Sequence, residues 1–562
     1  MSIFDGGSSC CWIICLACAV LSVYVGVYMQ NIDAILQIDE LIDSLDNSIA
    51  FNMFDNRALK NNFAPTSIEN VNVNAPLISG TLPSDLEGLF VRVGPNPIPE
   101  HIGKKRYHWF DGHGMIHSIR IVGSTISYSN QFVKTPRYTI ERDRGKSIFL
   151  MIGEMQGPIG VLKMLWNMIS RKEKLLGQTP LTVGTANTAI VHYFDKILVC
   201  HEASLPFSIA WNENNSFDSV GFDNMHGGLH VAMTAHPKVD PRDGNMYFVS
   251  YSAGHADPSI TYGSVRDDYV LSFTSLQLPE SPWIHDMMIT THYILVLQSS
   301  VGFSLKNMWR RGEGLFQYDP RQPFRVGVAR KDGGAVRVSS SHGSDMFQSD
   351  IMQWFEAVGP AVIVHAANAW EEGDKIILWA PMADAFDGTL QSGTNRFVMS
   401  CITLDLQTGR MSRGTLAREY NVEFPRVHPD CVGVSCRYAF ASIQGEAGLE
   451  GEFVGFLKFD LKDRKVTQVV MYPPDLVAGE MVPIVKQKAS AAPGGDHSDH
   501  LYLASFFFDK KFNGSEWRVY DGQSMASEPI TRVRVPGRVP HGFHGEWISE
   551  HDLQTHIASA KK

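Results

Sequence analysis

Charged residues are scarce in this sequence, and basic residues are not in excess. Of 562 residues, 19% are charged, and 49 Lys and Arg stand against 59 Asp and Glu, for a net charge of −10. Because binding to phosphate backbones requires concentrated positive charge, this balance excludes a dedicated nucleic-acid-binding protein. Hydrophobic residues make up 44% of the chain, which excludes a disordered chain because enough apolar surface is available for a core.

Cysteine is also scarce, and its distribution is uneven. Four of the eight cysteines lie within the first eighteen residues, and the others are Cys200, Cys401, Cys431 and Cys436. Thiols so widely spaced do not form the disulfide framework of a small secreted domain, so the body is predicted to fold in a reducing compartment. No GxSxG, Walker or HExxH motif occurs, which removes three common signatures of catalytic or nucleotide-binding sites.

The first thirty residues contain a long apolar run. Residues 10–29 (CCWIICLACAVLSVYVGVYM) carry no charge, and as a helix they would be about 30 Å long, enough to cross a bilayer core. Residues 1–30 are therefore predicted to form a single N-terminal transmembrane helix; a signal peptide and a buried core helix are the alternatives. Residues 31–63 are acidic, contain an amphipathic stretch (IDAILQIDELIDSL), and are predicted to form a helical stalk or linker.

Residues 64–562 read as one large β domain. Short runs such as FVMSCITLDLQTGRMSRGTL and GEFVGFLKFDLKDRKVTQVVMY (397–416 and 451–472) share a design in which alternating apolar residues flank a turn. Period-two alternation with closely spaced turns favours antiparallel meanders over parallel β/α units. Repeated along the body, it predicts an all-β fold of the β-propeller type. No strict repeat gives the number of blades.

One segment departs from the β pattern. Residues 157–177 place Ile159, Leu162, Leu165, Trp166 and Ile169 at helical spacing and then continue into a basic cluster. An apolar face beside basic residues is typical of a helix lying in a lipid headgroup layer. A helix packed on the β body explains the same pattern, so both interpretations are kept.

Four of the 21 histidines lie in unusual settings. His365 follows four apolar residues, His285 lies at the entry to an apolar strand, His236 precedes a proline and a turn, and His544 lies near the C-terminus. Burying a neutral imidazole is costly unless each nitrogen has a partner, and a metal ion is one such partner. The spacings of 49, 80 and 179 residues form no local metal motif, but they fit ligands delivered by different blades to a common axis.

Eight segments together resemble the carotenoid cleavage dioxygenase family. In chain order they are FVRVGPNP (90–97), YHWFDGHGMIHSIRI (107–121), GTANTAIV (184–191), TAHPKVDP (234–241), IHDMMIT (284–290), NAWEE (368–372), EFPRV (423–427) and GFHG (542–545). They follow the order of the family and span nearly the whole body. KSIFLMIGEMQGPIGVL and GTANTA make the resemblance closest to the plant-type subgroup that cleaves 9,10 double bonds.

The resemblance implies a fold, a cofactor and a set of site residues. The implied fold is a seven-bladed β-propeller with a helical cap over an axial non-haem Fe(2+). By motif, the iron ligands are His236, His285, His365 and His544, and the carboxylates behind them are Glu202, Glu423 and Glu480. Carboxylates that accept the outer N–H groups of imidazoles fix the ring orientation and offset charge. An all-imidazole set suits iron and leaves coordination positions for O2.

The sequence also departs from the family pattern. His113 stands in DGHG where the family commonly reads DGDG, and Ala366 stands in HAANAWEE where it often reads HNANAWEE. The residues around Glu480 match poorly, so its role depends on the structure. His541, three residues before His544, is a rival ligand, although the register of the family favours His544.

The implied function is that of an enzyme, a dioxygenase that cleaves a conjugated C=C bond of a carotenoid or apocarotenoid with O2 to give two carbonyl products. The expected partners are this substrate, O2 and membrane lipid, with no nucleic acid. Within the fold, a stilbene-cleaving oxygenase or a retinoid or carotenoid isomerase on the same iron site is the alternative. An inactive membrane-bound binding propeller is the alternative from a different class.

Overall fold

The structure of the protein is a computed structural model that describes residues 31–45, 56–102, 106–252, 258–269, 271–336, 351–388, 390, 393–445, 452–487 and 497–561. The transmembrane helix predicted in residues 1–30 lies outside these ranges. Within them, no helix combines the length and the apolar character needed to cross a bilayer.

Helices are few and short, and most of them lie in the first third of the chain. They are α1 (Ile32–Ser44), α2 (Pro99–Ile102), α3 (Pro136–Arg144), α4 (Gly157–Ser170), α5 (Lys172–Leu175), α6 (Leu305–Arg311) and α7 (Glu550–Ala560). Short 3₁₀ turns lie at Arg57–Leu59, Asn61–Phe63, Ile152–Glu154, Pro180–Thr182 and Pro429–Cys431.

Strands make up most of the regular structure, which confirms the predicted β class. They are β1 (Asn70–Asn74), β2 (Leu77–Gly80), β3 (Gly88–Asn96), β4 (His113–Val122), β5 (Thr125–Phe132), β6 (Ala189–Tyr193), β7 (Lys196–Cys200), β8 (Phe207–Trp211), β9 (Phe217–Phe222), β10 (Lys238–Val239), β11 (Met246–Tyr251), β12 (Ser259–Val265), β13 (Leu271–Gln277), β14 (Met287–Ile289), β15 (Tyr293–Gln298), β16 (Val301–Gly302), β17 (Gln317–Tyr318), β18 (Arg325–Arg330), β19 (Met352–Glu356), β20 (Asn368–Glu372), β21 (Lys375–Met382), β22 (Val398–Asp405), β23 (Arg410–Thr415), β24 (Val422–Val427), β25 (Tyr438–Gln444), β26 (Phe453–Asp460), β27 (Lys465–Met471), β28 (Leu476–Ala478), β29 (Val482–Val485), β30 (Leu501–Asp509), β31 (Gly514–Asp521), β32 (Thr531–Arg534) and β33 (Gly545–Ser549).

Strands that are close in sequence pair antiparallel into meanders. Four sheets have four strands each, in the orders β6-β7-β8-β9, β10-β11-β12-β13, β14-β15-β18-β19 and β20-β21-β22-β23. A ten-stranded sheet contains β24–β32 together with β2, and a five-stranded sheet has the order β1-β5-β4-β3-β33. A pair of short strands, β16 and β17, forms a separate sheet. The architecture is mostly β and propeller-like.

Strands from both ends of the body close the ring. The last strand, β33, pairs with β3, so that Ser549 lies opposite Gly88 and Gly545 lies opposite Arg92. In the same way, β2 pairs with β32. Such pairing covers sheet edges that would otherwise be exposed and prone to aggregation.

Buried side chains from neighbouring sheets form the core. Between the first and last sheets, Phe90 and Ile119 pack with Trp517 and Val533, all at most 1% exposed. Full burial of each such side chain contributes about 1.5–3 kcal/mol. The alternation seen in the sequence therefore places every second residue of these strands in an interface between sheets.

Helix α1, which lies within the predicted stalk, packs on the helices of the body. Its Asp39 and Asp43 form ion pairs with Lys172 (2.8 Å) and Lys163 (2.6 Å). Its Leu36 is buried in a cluster with residues of the 148–149 segment. Opposite charges thus dock the acidic α1 on one lysine of α4 and one lysine of α5, and the domain boundary at residue 31 stays a prediction.

Helix α4 lies in the segment 157–177, for which the sequence predicts either a lipid-facing helix or a helix packed on the β body. Trp166 is half-buried and lines a small cavity together with Asp39 and Asp43 of α1, so part of its side chain faces the docked helix. Leu162, Leu165 and Ile169 are each more than a third exposed. The helix therefore both packs on the body and leaves an apolar face uncovered.

Phe63, which directly precedes the predicted start of the β domain at residue 64, packs on the body. Phe63 is 8% exposed, and its ring lies 5.6 Å from the ring of Trp109 and 4.6 Å from that of His541. The backbone N–H of His541 donates to the carbonyl of Asn62 at 2.7 Å. Residues just before position 64 therefore join the two ends of the body.

Replacing Phe63 tests this joining role. Phe63→Ala removes a buried aromatic ring from a closed cluster, and we expect it to lower the free energy of unfolding by about 3 kcal/mol. Ile68→Ala, at a position that is 66% exposed, is the matched control and should change it by less than about 0.5 kcal/mol. Chemical denaturation measures both. Equal effects of the two substitutions would show that Phe63 is not part of the core.

Candidate metal centre

Each of the four singled-out histidines precedes a strand of a different sheet. His236 precedes β10, His285 precedes β14, His365 precedes β20, and His544 directly precedes β33. Strands β10, β14 and β20 are each the first strand of their meander, and β33 is an edge strand of the closing sheet. In a radial arrangement the first strands surround the axis, so side chains that precede them converge from separate sheets.

The imidazole rings meet at short distances. The Nε2 atoms of His236 and His285 are 3.1 Å apart, and His236, His285 and His365 can each offer a ligand atom within 4.8 Å of the others. The ring centre of His544 lies 4.6 Å from that of His236 and 4.7 Å from that of His365. The structure thus brings together all four predicted ligand residues.

Burial favours the neutral form of His236 and His365. It is the largest cause that lowers the pKa of His236 far below its ordinary value, followed by the neighbouring histidines, and the pKa of His365 is lowered in the same way. The Nε2 atom of His365 is buried and has no hydrogen-bond partner in the described part of the chain. Imidazole nitrogens that converge on one point from several elements fit a divalent transition metal such as iron.

A carboxylate lies behind three of the four rings. Glu202 is 2.7 Å from Nδ1 of His285, Glu423 is 2.7 Å from Nδ1 of His365, and Glu480 is 3.0 Å from Nδ1 of His544. Each Nδ1–H donates to its carboxylate, which directs Nε2 toward the common centre. The three predicted glutamates therefore lie where an orienting role requires them, including Glu480, whose sequence surroundings matched poorly.

Glu480 is bound by a cation that the sequence reasoning missed. Arg426 donates to its two oxygens at 2.8 and 3.0 Å, and the N–H of Gly545 donates at 2.9 Å. Burial would raise the pKa of Glu480, but Arg426 and His544 outweigh it and lower the pKa to about 2. Arg426 is the arginine of the EFPRV motif, but the sequence does not show that this arginine pairs with Glu480.

The other two carboxylates have different surroundings. Burial raises the pKa of Glu423 to about 8, and its Oε1 has no hydrogen-bond partner among the described residues. Burial would also raise the pKa of Glu202, but His285, His201 and the hydroxyl of Tyr251 at 3.1 Å together lower it. Each of the three glutamates therefore lies behind a histidine of the cluster, but their electrostatic environments differ.

A β-bulge places Glu423 and Arg426 on the same side of β24. Residues three apart on a regular strand point to opposite faces, but the pairing with β25 shifts register between these two residues. Phe424 within the bulge has φ of 51°, an uncommon conformation for a bulky residue. The centre of the Phe424 ring lies 5.1 Å from that of His365 and 4.8 Å from that of His544.

Two cavities of different polarity meet at the histidines. The first is apolar and is lined by Trp109, Phe110, Trp283, Phe316, Phe397, Phe424, Phe453 and Phe543. The second is the more polar of the two, because its lining includes the charged residues Lys238, Asp286, Arg426, Asp430, Glu480 and Glu546 beside apolar ones. His365 and His544 line both cavities, so the centre lies between an apolar chamber and a more polar one.

The rival ligand His541 and the two residues that depart from the family pattern, His113 and Ala366, are not part of the histidine cluster. His541 contacts Phe63, and its Nε2 is 4.0 Å from Glu452. His113 lies 3.3 Å from the buried Glu141. The backbone N–H of Ala366, next to His365, donates to Asp286 at 2.8 Å, a contact that needs no side chain at that position.

Comparisons with known proteins agree on one family. The family profile described as "Retinal pigment epithelial membrane protein" matches residues 63–549. The carotenoid 9,10(9',10')-cleavage dioxygenase 1 of Pisum sativum is 32% identical over 520 residues, which cover 88% of this chain and 90% of that protein. The enzyme of the same name from Arabidopsis thaliana is 30% identical over 92% of this chain and 95% of its own length.

Solved structures support the fold. An apocarotenoid oxygenase variant from Synechocystis superimposes with a TM-score of 0.70 at 23% identity, covering 86% of this chain and 97% of that one. A lignostilbene dioxygenase from Pseudomonas brassicacearum superimposes with a TM-score of 0.72 at 21% identity, covering 88% and 99%.

The unequal surroundings of the glutamates lead to unequal effects on stability. Glu480→Gln leaves Arg426 without its carboxylate, so we expect the free energy of unfolding of the metal-free protein to fall by about 2 kcal/mol. Glu423→Gln keeps an acceptor for His365 and breaks no ion pair with Lys or Arg among the described residues, so its effect should be clearly smaller. Urea denaturation of both variants compares them. A larger loss in Glu423→Gln would contradict the assignment of Arg426 to Glu480.

Proposed function

The chain belongs to the carotenoid oxygenase family, and we propose that it is an Fe(2+)-dependent dioxygenase that cleaves a conjugated C=C bond of a carotenoid or apocarotenoid with O2 to give two carbonyl products. One observation carries the proposal: four imidazoles from different sheets converge where an apolar, aromatic cavity ends. A metal-binding set at the end of an apolar chamber is what oxidation of a long hydrocarbon requires.

His236, His285, His365 and His544 would hold the iron. Bound iron would supply the redox chemistry that activates O2. Glu202, Glu423 and Glu480 would hold His285, His365 and His544 in the orientation that presents Nε2. These glutamates act through the imidazoles and are positioning residues.

The aromatic side chains of the cavity would bind the polyene. A polyene has few hydrogen-bonding groups, so dispersion and exclusion of water are the available sources of affinity. Trp283 illustrates the arrangement: it is 1% exposed, and its ring centre lies 5.6 Å from that of His285 and 5.3 Å from that of Phe316. Because the position of the metal centre is fixed, the depth to which the polyene enters the cavity would select the bond that is cleaved.

We also propose seven blades for the propeller. The four four-stranded sheets would each be one blade, and the five-stranded sheet would be another. The ten-stranded sheet contains two meander units, β24–β27 and β29–β32, which support two further blades. The short helices α3–α6 would form the cap above the apolar cavity.

The alternatives use parts of the same structure. A stilbene-cleaving oxygenase or an isomerase would use the same iron site with a different occupant of the cavity. An inactive binding propeller would need no converging imidazoles, and the three carboxylates behind them argue for a working metal centre. Substrate cleavage by the iron-loaded protein separates these possibilities.

The proposed function predicts a link between iron content and cleavage. Purified protein should contain about one iron per chain and should convert carotenoids or apocarotenoids to aldehydes, whereas His285→Ala and His365→Ala should lose both properties. His541→Ala, a buried histidine outside the cluster, should retain iron and is the matched control. Glu423→Gln should lose about 10–100-fold in iron affinity or activity, since it orients a ligand without being one.

Elemental analysis and product identification by mass spectrometry measure these outcomes. Full iron content and unchanged rate in both histidine variants would overturn the site assignment. Cleavage of stilbenes without cleavage of polyenes would assign the alternative substrate class. Iron-loaded protein that converts neither class would favour the binding propeller.

We further propose that the helical region contacts membrane lipid. Leu162, Leu165, Met168 and Ile169 of α4 and Trp309 of α6 are all more than a third exposed. Arg310 and Arg311 follow Trp309 in the last turn of α6. An apolar face bordered by basic residues suits an anionic bilayer surface. The apolar run at residues 10–29 would add a second membrane contact.

Vesicle binding tests the lipid-facing surface. In a chain that begins at residue 31, Met168→Glu with Ile169→Glu should reduce cosedimentation with anionic vesicles, because apolar area is removed and negative charge is added. Val220→Glu, at an exposed site on β9, is the control and should bind as the parent chain does. Absence of binding by the parent chain itself would show that α4 and α6 are ordinary surface helices.

A further inference from the structure

Two cysteines lie side by side in the loop that joins β24 to β25. The thiols of Cys431 and Cys436 are hydrogen-bonded to each other. Cys431 ends the 3₁₀ turn Pro429–Cys431 and is partly exposed, whereas Cys436 is 4% exposed and its thiol also donates to the carbonyl of Tyr438 at 3.2 Å. One accessible sulfur therefore lies in contact with one buried sulfur.

We propose that Cys431 and Cys436 form a redox-active pair that closes to a disulfide when the protein meets a peroxide or a low-molecular-weight disulfide such as oxidised glutathione. Cys431 is the attacking thiol and Cys436 is the resolving thiol. The assignment does not depend on the proposed dioxygenase activity.

The surroundings of Cys431 favour its thiolate. Both thiols line a surface cavity together with Arg437, Lys462 and Arg464, of which Arg437 also pairs with Asp460 at 2.9 Å. Positive charge near a cysteine stabilises the thiolate, which is the nucleophilic form. Acidic residues are present as well: Asp430 is 78% exposed and its carboxylate lies 3.8 Å from Nδ1 of His428, and Glu372 accepts from the indole N–H of Trp370 at 2.8 Å.

The hydrogen bond between the thiols distinguishes their roles. Cys436 keeps its proton, because the contact with Cys431 and then burial raise its pKa well above the ordinary value. The S–H of Cys436 donates to the carbonyl of Tyr438, so Cys431 is the thiol of the pair that ionises first. An exposed nucleophile beside a buried, protonated thiol is the arrangement that thiol–disulfide exchange requires.

The oxidation is balanced with the named oxidants. With a peroxide, the Cys431 thiolate takes the terminal oxygen and becomes a sulfenic acid as water leaves. The Cys436 sulfur then attacks Cys431, forms the S–S bond and displaces a second water. With oxidised glutathione, a mixed disulfide on Cys431 is resolved by Cys436, and two molecules of reduced glutathione leave.

The other two cysteines in the described part of the chain lack these features. Cys200 lies in β7 and is 0% exposed, and burial raises its pKa to about 12. Cys401 lies in β22 and is 5% exposed, and burial likewise raises its pKa. Buried, protonated thiols of this kind are unreactive, so they serve as internal references.

The loop that carries the pair is attached to the strand that follows a ligand histidine. The side-chain amide of Asn368 donates to the carbonyls of Cys431 and Val434, both at 2.9 Å, and accepts from the N–H of Gly433 at 2.9 Å. Asn368 begins β20, three residues after His365. A disulfide would therefore cross-link the loop that holds the start of this strand.

Peptide mapping of the full-length protein tests the proposal. Trypsin cleaves after Arg426 and Arg437 and releases residues 427–437, a peptide that carries both cysteines. After treatment with hydrogen peroxide or oxidised glutathione and then with N-ethylmaleimide, the wild-type peptide should be about 2 Da lighter and unalkylated, because two thiol hydrogens are lost. Dithiothreitol should restore alkylation at both positions, while Cys200 and Cys401 stay reduced throughout.

Single variants test the assigned order. Cys436→Ser should trap glutathione on Cys431, whereas Cys431→Ser should leave Cys436 unmodified. If glutathione is attached to Cys436 in Cys431→Ser as fully as it is to Cys431 in Cys436→Ser, the assignment of Cys431 as the attacking thiol is overturned. A wild-type peptide that carries a stable adduct on one cysteine beside a free second thiol would overturn the pair. Zinc that is present in wild type and lost in Cys431→Ser with Cys436→Ser would make these residues metal ligands and would also overturn it.

Discussion

Buried imidazole nitrogens that face one another at the axis are the constraint on which the site depends. In water each of these nitrogens would be solvated, and burial without a partner costs free energy. Here the outer nitrogens of three rings donate to carboxylates at 2.7–3.0 Å, which leaves the inner nitrogens to a cation. Loss of any one ring position would leave buried donors and acceptors unsatisfied, so the arrangement couples the metal centre to the packing of four separate sheets.

The propeller-like closure supplies the geometry that this constraint demands. His236, His285 and His365 precede the first strands of three successive meanders, but His544 reaches the centre only because β33 pairs with β3 at the other end of the body. The segment at residues 62–63 contacts the same C-terminal region. The pairing of β33 with β3 therefore both closes the ring and brings the fourth histidine to the centre.

Several features followed from the sequence, and others could not. The meanders were predictable because alternation along a strand is a local property. The histidines were found through resemblance, since separations of 49, 80 and 179 residues carry no geometry by themselves. The packing of α1 on α4 could not be predicted, because helical spacing shows which residues share a face but not what covers it. The ion pair of Arg426 with Glu480 depends on a bulge and on residues of different strands.

Of the three glutamates behind the histidines, Glu480 pairs with an arginine, whereas the other two have no Lys or Arg partner among the described residues. Lys238 and Asp286 neutralise each other at 2.6 Å, and Arg426 neutralises Glu480. Glu202 and Glu423 remain as two carboxylates without a Lys or Arg partner among the described residues, which matches the charge of a dication held by neutral imidazoles. Burial is the largest cause that raises the pKa of Glu423 to about 8. A cation held by the imidazoles would favour the charged form of this carboxylate, so a bound metal would supply the cationic partner that Lys and Arg of the described residues do not, and the ionisation of Glu423 would depend on occupancy of the site.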